Sequence, residues 1–168
     1  MPEASNKRIK EFDLIARIQH QSSVHTARCE DILLGISDDM AILRWSADQC
    51  LVTTDTLLEG VHFDSSTASP QSIGQKAVAC SLSDCAAMAS IPVGAVVAVT
   101  LPRDYPVDAA MALHHGMEEM GMRFHCPLIG GDTTTWSGPL AVTVTMFSKP
   151  GSTAPVRRTG AHVGDVIM

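Results

Sequence analysis

Residues 93–101 read VGAVVAVTL, a near-continuous apolar, valine-rich run of the length of one strand. Downstream, residues 140–147 (LAVTVTMF) alternate apolar and polar side chains as a half-buried strand does, and Pro150-Gly151 end that run. Between the two, Met111, His114, Met117 and Met120 recur every third residue and predict a helix over 107–122. Residues 127–131 (PLIGG) read as a short strand entering a glycine turn. Upstream, a second helix is predicted from about Ser72 to Met88, after Pro70. Ile73, Ala77, Ser81, Asp84 and Met88 follow one of its faces, and Val78, Leu82 and Ala86 the next. Residues 50–54 (CLVTT) read as a strand running into Asp55. Residues 32–36 (ILLGI) and 40–45 (MAILRW) read as strands around the polar step Ser37-Asp38-Asp39. Phe12, Ile15 and Ile18 predict a short amphipathic helix, and the polar stretch 19–31 reads as a mobile loop. Strands and helices mixed with hairpin-like pairs give an α+β, or mixed α/β, domain.

The 168 residues are 45% hydrophobic and 18% charged, a globular composition with enough apolar side chains for one core. The formal charge of −6 argues against nonspecific nucleic-acid binding, which needs a basic footprint. Aromatic residues make up only 4%, too few for a base-stacking platform. The cysteines are Cys29, Cys50, Cys80, Cys85 and Cys126, an odd set without a C-x-x-C, which argues against a disulfide framework or a zinc site. The start MPEASNKRIKEFD has no apolar signal-peptide core, and no apolar run approaches the ~20 residues of a membrane helix. The expectation is a cytoplasmic protein with no membrane partner. The chain ends on VGDVIM, a strand-like run, which predicts a fragment of a longer protein.

Aspartates stand at strand ends or within a helix at Asp38-Asp39, Asp55, Asp84 and Asp132. Magnesium takes oxygen ligands, commonly a few carboxylates together with substrate phosphates, so converging aspartates suit a phosphoryl-transfer site. Each also has a plain structural reading. Asp38-Asp39 fits a hairpin turn, Asp55 between threonines fits a cap, and Gly130-Gly131-Asp132 fits a turn. Asp84 sits mid-helix among Ala, Cys, Leu and Met, where a buried carboxylate needs a partner, and a metal answers that need. His114-His115 read as surface or core-edge residues and the methionine-rich helix as core or interface. No Walker loop, G-x-G-x-x-G, G-x-S-x-G or H-E-x-x-H occurs, so any nucleotide phosphate must be neutralised largely by metal.

In order, GISDDMAIL, TTDTLLEGVHF, SLSDCAAMAS, LIGGDTT and RRTGAHVGD resemble the successive signatures of thiamine-monophosphate kinases, from about Glu11 to Met168. TDT-x-x-E-G-x-H-F is the most specific piece. It separates this family from the related aminoimidazole ribonucleotide synthetases and selenophosphate synthetases. Four departures stand out: Ser37 for a usual Gly, Ser81 for Asn, Cys85 for Leu, and Thr135-Trp136 for Arg-Gly.

The resemblance implies a mixed β-sheet with helices on one face, pairing through its sheet into a homodimer with nucleotide sites near the interface. It implies ATP-dependent phosphorylation of thiamine monophosphate to thiamine diphosphate. Asp38, Asp39, Thr53, Thr54, Asp55, Asp84 and Asp132 would hold magnesium ions. Gly131, Asp132 and Arg158 would bind the nucleotide, and His62 would lie at the thiamine phosphate. The acceptor is itself a phosphate, so no catalytic base is implied, and positioning with charge neutralisation carries the rate. The family's second α/β domain is missing from this chain, so residues 1–168 are read as the N-terminal metal- and nucleotide-binding domain. The alternatives are another ATP-dependent synthetase of the superfamily and a non-catalytic nucleotide-binding or dimerising module.

Overall fold

The valine-rich run becomes an inner strand of a four-stranded sheet. The computed structural model describes residues 11–36, 41–45, 49–157 and 159–166. In chain order its elements are α1 (Glu11–Thr26), β1 (Ile32–Leu34), β2 (Ile42–Leu43), β3 (Leu51–Leu58), α2 (Pro70–Ala87), β4 (Ser90–Pro102), α3 (Val107–Met122), β5 (Leu128–Trp136) and β6 (Ala141–Pro150). The main sheet runs β3-β6-β4-β5, while β1 and β2 form a separate antiparallel pair. β6 is antiparallel to both β3 and β4. β4 and β5 are parallel, a pairing that needs a crossover connection, and α3 makes it. The sheet is therefore mixed, as expected.

Period-two alternation decides which face is covered. On β6, Val142, Val144 and Met146 are fully buried, and on β4 so are Ala95, Val97, Val99 and Leu101. They pack beneath Ile73, Ala77, Val78 and Leu82 of α2 and Ala110, Leu113 and Met117 of α3, in one core. Each such Val, Leu or Ile stabilises the fold by ~1.5–3 kcal/mol. The opposite face carries Val52, Thr54, Thr56 and Leu58 of β3, all exposed, and Thr143 and Thr145 of β6. Its hydroxyls pair across strands, Thr54 with Thr145 at 3.0 Å and Thr56 with Thr143 at 2.9 Å. Helices α2 and α3 therefore lie on one side of the sheet.

Helix α2 starts at a conventional stop-start signal. Ser69 accepts a hydrogen bond from the Ser72 amide at 3.2 Å, and Pro70 occupies the first turn, where its missing N–H is harmless. Helices α2 and α3 touch backbone to backbone. A Cβ on Gly116 would fall 2.0 Å from the Gln71 carbonyl oxygen, and one on Gly74 would fall 2.1 Å from that of Leu113.

Four expectations change. The polar stretch 19–31 is helical as far as Thr26, because Ser22 finds a buried partner on α3 and Gln21 one at His115. β3 continues through Asp55 to Leu58, and β5 continues through Asp132 to Trp136. Both aspartates thus lie inside strands, not at strand ends or in a turn. Residues 163–166 join no strand, and Val163 and Val166 are exposed. Finally, Asp84 is exposed; the polar residue sealed at 0% exposure on that helix face is Ser81.

Candidate functional site

Strand β3 and helix α2 run side by side, and their facing side chains bring two carboxylates to one edge of the sheet. Thr53 and Asp55, two apart on the strand, point to the same face; Ser81 and Asp84, three apart on the helix, share a face as well. The pairs lock together. Ser81 Oγ donates to Asp55 Oδ2 at 2.9 Å, and Thr53 Oγ1 donates to the Asp84 carboxylate. In each carboxylate it is Oδ2 that accepts. Thr53 and Asp84 also line a cleft of about 430 Å³, together with Ser148, Met88 and Arg157. Its polar groups are the Asp84 carboxylate, the hydroxyls of Thr53, Ser90 and Ser148 and one guanidinium, beside the sulfurs of Cys85 and Met88. The oxygens suit a hard cation and the guanidinium a phosphate. Among the described residues, no three His, Cys, Asp or Glu side chains converge within the chain to hold a metal.

Other predicted residues fall elsewhere. Thr54 points to the open face, where its hydroxyl meets Thr145. Asp132 is exposed on β5, in register with Ala98. β5 and β3 are the two edges of the sheet, with β6 and β4 between them. Three strand spacings put Asp132 roughly 14 Å from Asp55. The chain therefore brings Asp55 and Asp84 together but holds Asp132 at the opposite edge. Asp38, Asp39 and Arg158 lie outside the described residues.

Gly131 explains the approach to Asp132. Its φ is +154°, and a Cβ there would stand 2.0 Å from the Val97 carbonyl oxygen, so only glycine lets β5 lie this close to β4. Beside Gly130, Gly131 and Asp132 lies a cavity of about 250 Å³ with apolar walls from Leu14 and Ile18 of α1, Val97 and Val99 of β4, and Leu113 and Met117 of α3. His114 is the one imidazole on its lining.

His62 sits in the loop after β3 and is exposed. Its Nδ1 accepts from the Leu58 amide at 3.0 Å, which leaves the proton of the neutral ring on Nε2. The Lys76 ammonium donates to the His62 carbonyl oxygen and ties this loop to α2. His62 thus lies beyond one end of β3, while Thr53 and Asp84 meet at the other.

Sequence reading missed two partners. Ser81 stands three residues before Asp84 on the same helix face, and that spacing was the available signal. Glu118 carries no such signal: it is 1% exposed, deep on α3, and its partner Ser22 is 96 residues away.

Known proteins extend this picture. A thiamine-monophosphate kinase of Rhodopirellula baltica is 35% identical over 151 residues, covering 85% of this chain and 47% of the relative. The crystal structure of thiamine-monophosphate kinase from Stenotrophomonas maltophilia superposes with a TM-score of 0.77 at 40% identity, covering 94% of this chain and 48% of that one. AaThiL complexed with AMPPCP and TMP superposes with a TM-score of 0.66 at 28% identity, covering 95% of this chain and 47% of that one. The chain spans about half the length of the curated relatives it matches. The family described as AIR synthase related protein, N-terminal domain, matches residues 37–149, which carry the β3–α2 carboxylate edge and the Gly-Gly-Asp strand, and the chain belongs to that family.

Proposed function

We propose that this chain is the metal- and nucleotide-binding N-terminal domain of an enzyme that transfers the γ-phosphoryl group of ATP to thiamine monophosphate, giving thiamine diphosphate. The observation that carries the reading is the Asp55–Ser81 and Thr53–Asp84 pairing, which fixes two carboxylates between β3 and α2, with Asp84 on the wall of a cleft that Arg157 also lines. Magnesium held there would supply charge neutralisation for the triphosphate. The chain's own groups do the rest. Asp55 and Asp84 would hold the cation through carboxylate oxygens with the Thr53 hydroxyl at Asp84, and Thr54, whose hydroxyl is engaged by Thr145, would contribute through its backbone. Asp38 and Asp39 complete the acidic set. Arg157 or its neighbour Arg158 clamps phosphate oxygens. Gly131 and Asp132 receive the nucleotide phosphates, and the apolar cavity beside them takes the base. His62 offers Nε2–H to the phosphate of the acceptor.

The separation of Asp132 from Asp55 favours a homodimer in which the open sheet faces meet, so that Asp132 of one copy approaches the carboxylate edge of the other. A second α/β domain, present in the full-length protein, completes the acceptor pocket. No helix among the described residues is long and apolar enough to cross a membrane, and all five cysteines are free, which fits a reducing, cytoplasmic setting.

Calorimetric titration of magnesium-AMPPCP tests the assignment. Asp55→Asn, Asp84→Asn and Asp132→Asn should each weaken binding by about 10-fold or more, and Asp108→Asn, at the first turn of α3, should leave it unchanged. Equal affinities across the four variants would refute the site. A full-length protein that forms no thiamine diphosphate from ATP and thiamine monophosphate would refute the reaction.

A further inference from the structure

Helix α1 is fastened to α3 largely by polar groups, with Leu14 packed against the core. Of its described side chains only Ser22 is fully buried; Leu14 and Ile18 are half-buried, and Ile15 and Val24 are exposed. Ser22 Oγ donates to Glu118 Oε1 at 2.5 Å. The other carboxylate oxygen faces His25 Nδ1 at 3.2 Å and His114 Nδ1 at 4.0 Å without accepting a well-formed hydrogen bond. Both ring nitrogens of His114 are buried without a hydrogen-bond partner among the described residues. The same imidazole lines the cavity beside Gly131, whose outer wall is Leu14 and Ile18 of α1. With only Leu14 and Ile18 half-buried among its described apolar side chains, α1 is held to the body of the domain less firmly than α2 or α3.

We propose that α1 is a detachable cover over this cavity, latched by Glu118 and released when the buried imidazole of His114 takes up a proton. The charged or titratable groups around His114 are Glu118 and His115 on α3, His25 on α1, and Asp132 across the cavity on β5. Arg17 and His20 line the outer groove between α1 and α3 with His25 and His115. Burial holds the His114 pKa below the ordinary histidine value, against the pull of Glu118 and aided by the repulsion of His115 and His25. The docked arrangement therefore binds a proton at His114 less well than the lifted one, and acidification favours the lifted one. His25, when charged, opposes release because it stands 3.2 Å from Glu118.

The inference goes beyond the proposed phosphoryl transfer, and its test uses no ligand, so either reading can fail alone. Amide hydrogen exchange of α1 in the ligand-free chain is compared at about pH 7.5 and about pH 5.5, corrected for intrinsic rates. Protection over residues 14–26 should fall roughly fivefold or more at the lower pH, with β4 and β6 unchanged. His114→Gln should abolish the pH dependence, and Glu118→Gln should lower α1 protection at both pH values. Protection that is flat or rises on acidification in the wild type overturns the latch, as does an undiminished fall in His114→Gln. Should that variant not fold, an NMR titration of the wild-type His114 ring decides: a midpoint below about 6.5 supports the latch, and one at or above it overturns it.

Discussion

The hydroxyl of Ser81, sealed inside α2, donates to the carboxylate of Asp55 on β3 at 2.9 Å, so a helix fixes the orientation of a strand's acid. Ser81→Ala should cost about 1 kcal/mol of stability from the lost hydrogen bond. It should also free the Asp55 carboxylate to rotate and raise the magnesium dissociation constant about 10-fold, as loss of an orienting partner does at metal sites. Thermal unfolding reads the first effect and calorimetry the second. Magnesium affinity equal to that of the wild type would mean that Asp55 is positioned without Ser81.

Two adjacent glycines on β5 should behave differently. A methyl group on Gly131 would meet the Val97 carbonyl oxygen at 2.0 Å, whereas one on Gly130 meets only a Val96 methyl at 3.4 Å, an ordinary contact. Gly131→Ala should therefore cost ~1–3 kcal/mol or more and pry β5 from β4. Gly130→Ala should be tolerated within about 0.5 kcal/mol. Chemical denaturation of the two variants checks this, and equal losses would contradict the close approach of the two strands.

Alkaline stability should depend on Cys126. Burial is the main force pushing its thiol from 9.0 up to about 12, and the nearby thiols of Cys85 and Cys29 add to it. The folded pKa is raised, so the contribution is fully present below the unfolded value and is lost as pH rises. Between pH 9.0 and about 12 the unfolded thiol ionises while the folded one cannot. The unfolding free energy should fall by up to ~1.4 kcal/mol per pH unit in this window from this group alone. Cys126→Ala should remove that slope while lowering stability at neutral pH. An unchanged alkaline slope in the variant would show that the thiol ionises in place.

The core elements were readable because their signals are local. The apolar run at 93–101, the alternation at 140–147 and the spacing of Met111, Met117 and Met120 each specify an element without reference to the rest of the chain. Helix α1 beyond Ile18 was not readable, since its polar residues are helical because of Glu118, 96 residues from Ser22. The aspartates were readable as residues but not as geometry. Asp84 looked buried because its sequence neighbours are apolar, yet a helix turns each residue to a different face, and Ser81 takes the sealed position. Asp132 looked like a turn because two glycines precede it. Those glycines serve strand-to-strand contact instead, and strand order, which no local pattern encodes, separates Asp132 from Asp55.

That separation makes the last expectation a matter of assembly. Asp55 and Asp132 occupy opposite edges of one sheet, and the face between them is uncovered: the paired threonines Thr54–Thr145 and Thr56–Thr143, flanked by Val52 at 58% and Leu58 at 41% exposure. Hydroxyls already satisfied across strands, with apolar side chains beside them, form a face that a second copy can cover at little desolvation cost. An arginine at this face would bury an unpaired charge in the dimer but sit in water in the monomer. Thr145→Arg should therefore yield a monomer in sedimentation, keep its unfolding free energy within about 1 kcal/mol, and bind magnesium-AMPPCP about 10-fold or more weakly. Loss of binding without loss of folding is the signature of a site shared between copies. A monomeric wild type, or a monomeric variant that binds as the wild type does, would place the whole site within one chain and require Asp132 to act without its partner's Asp55.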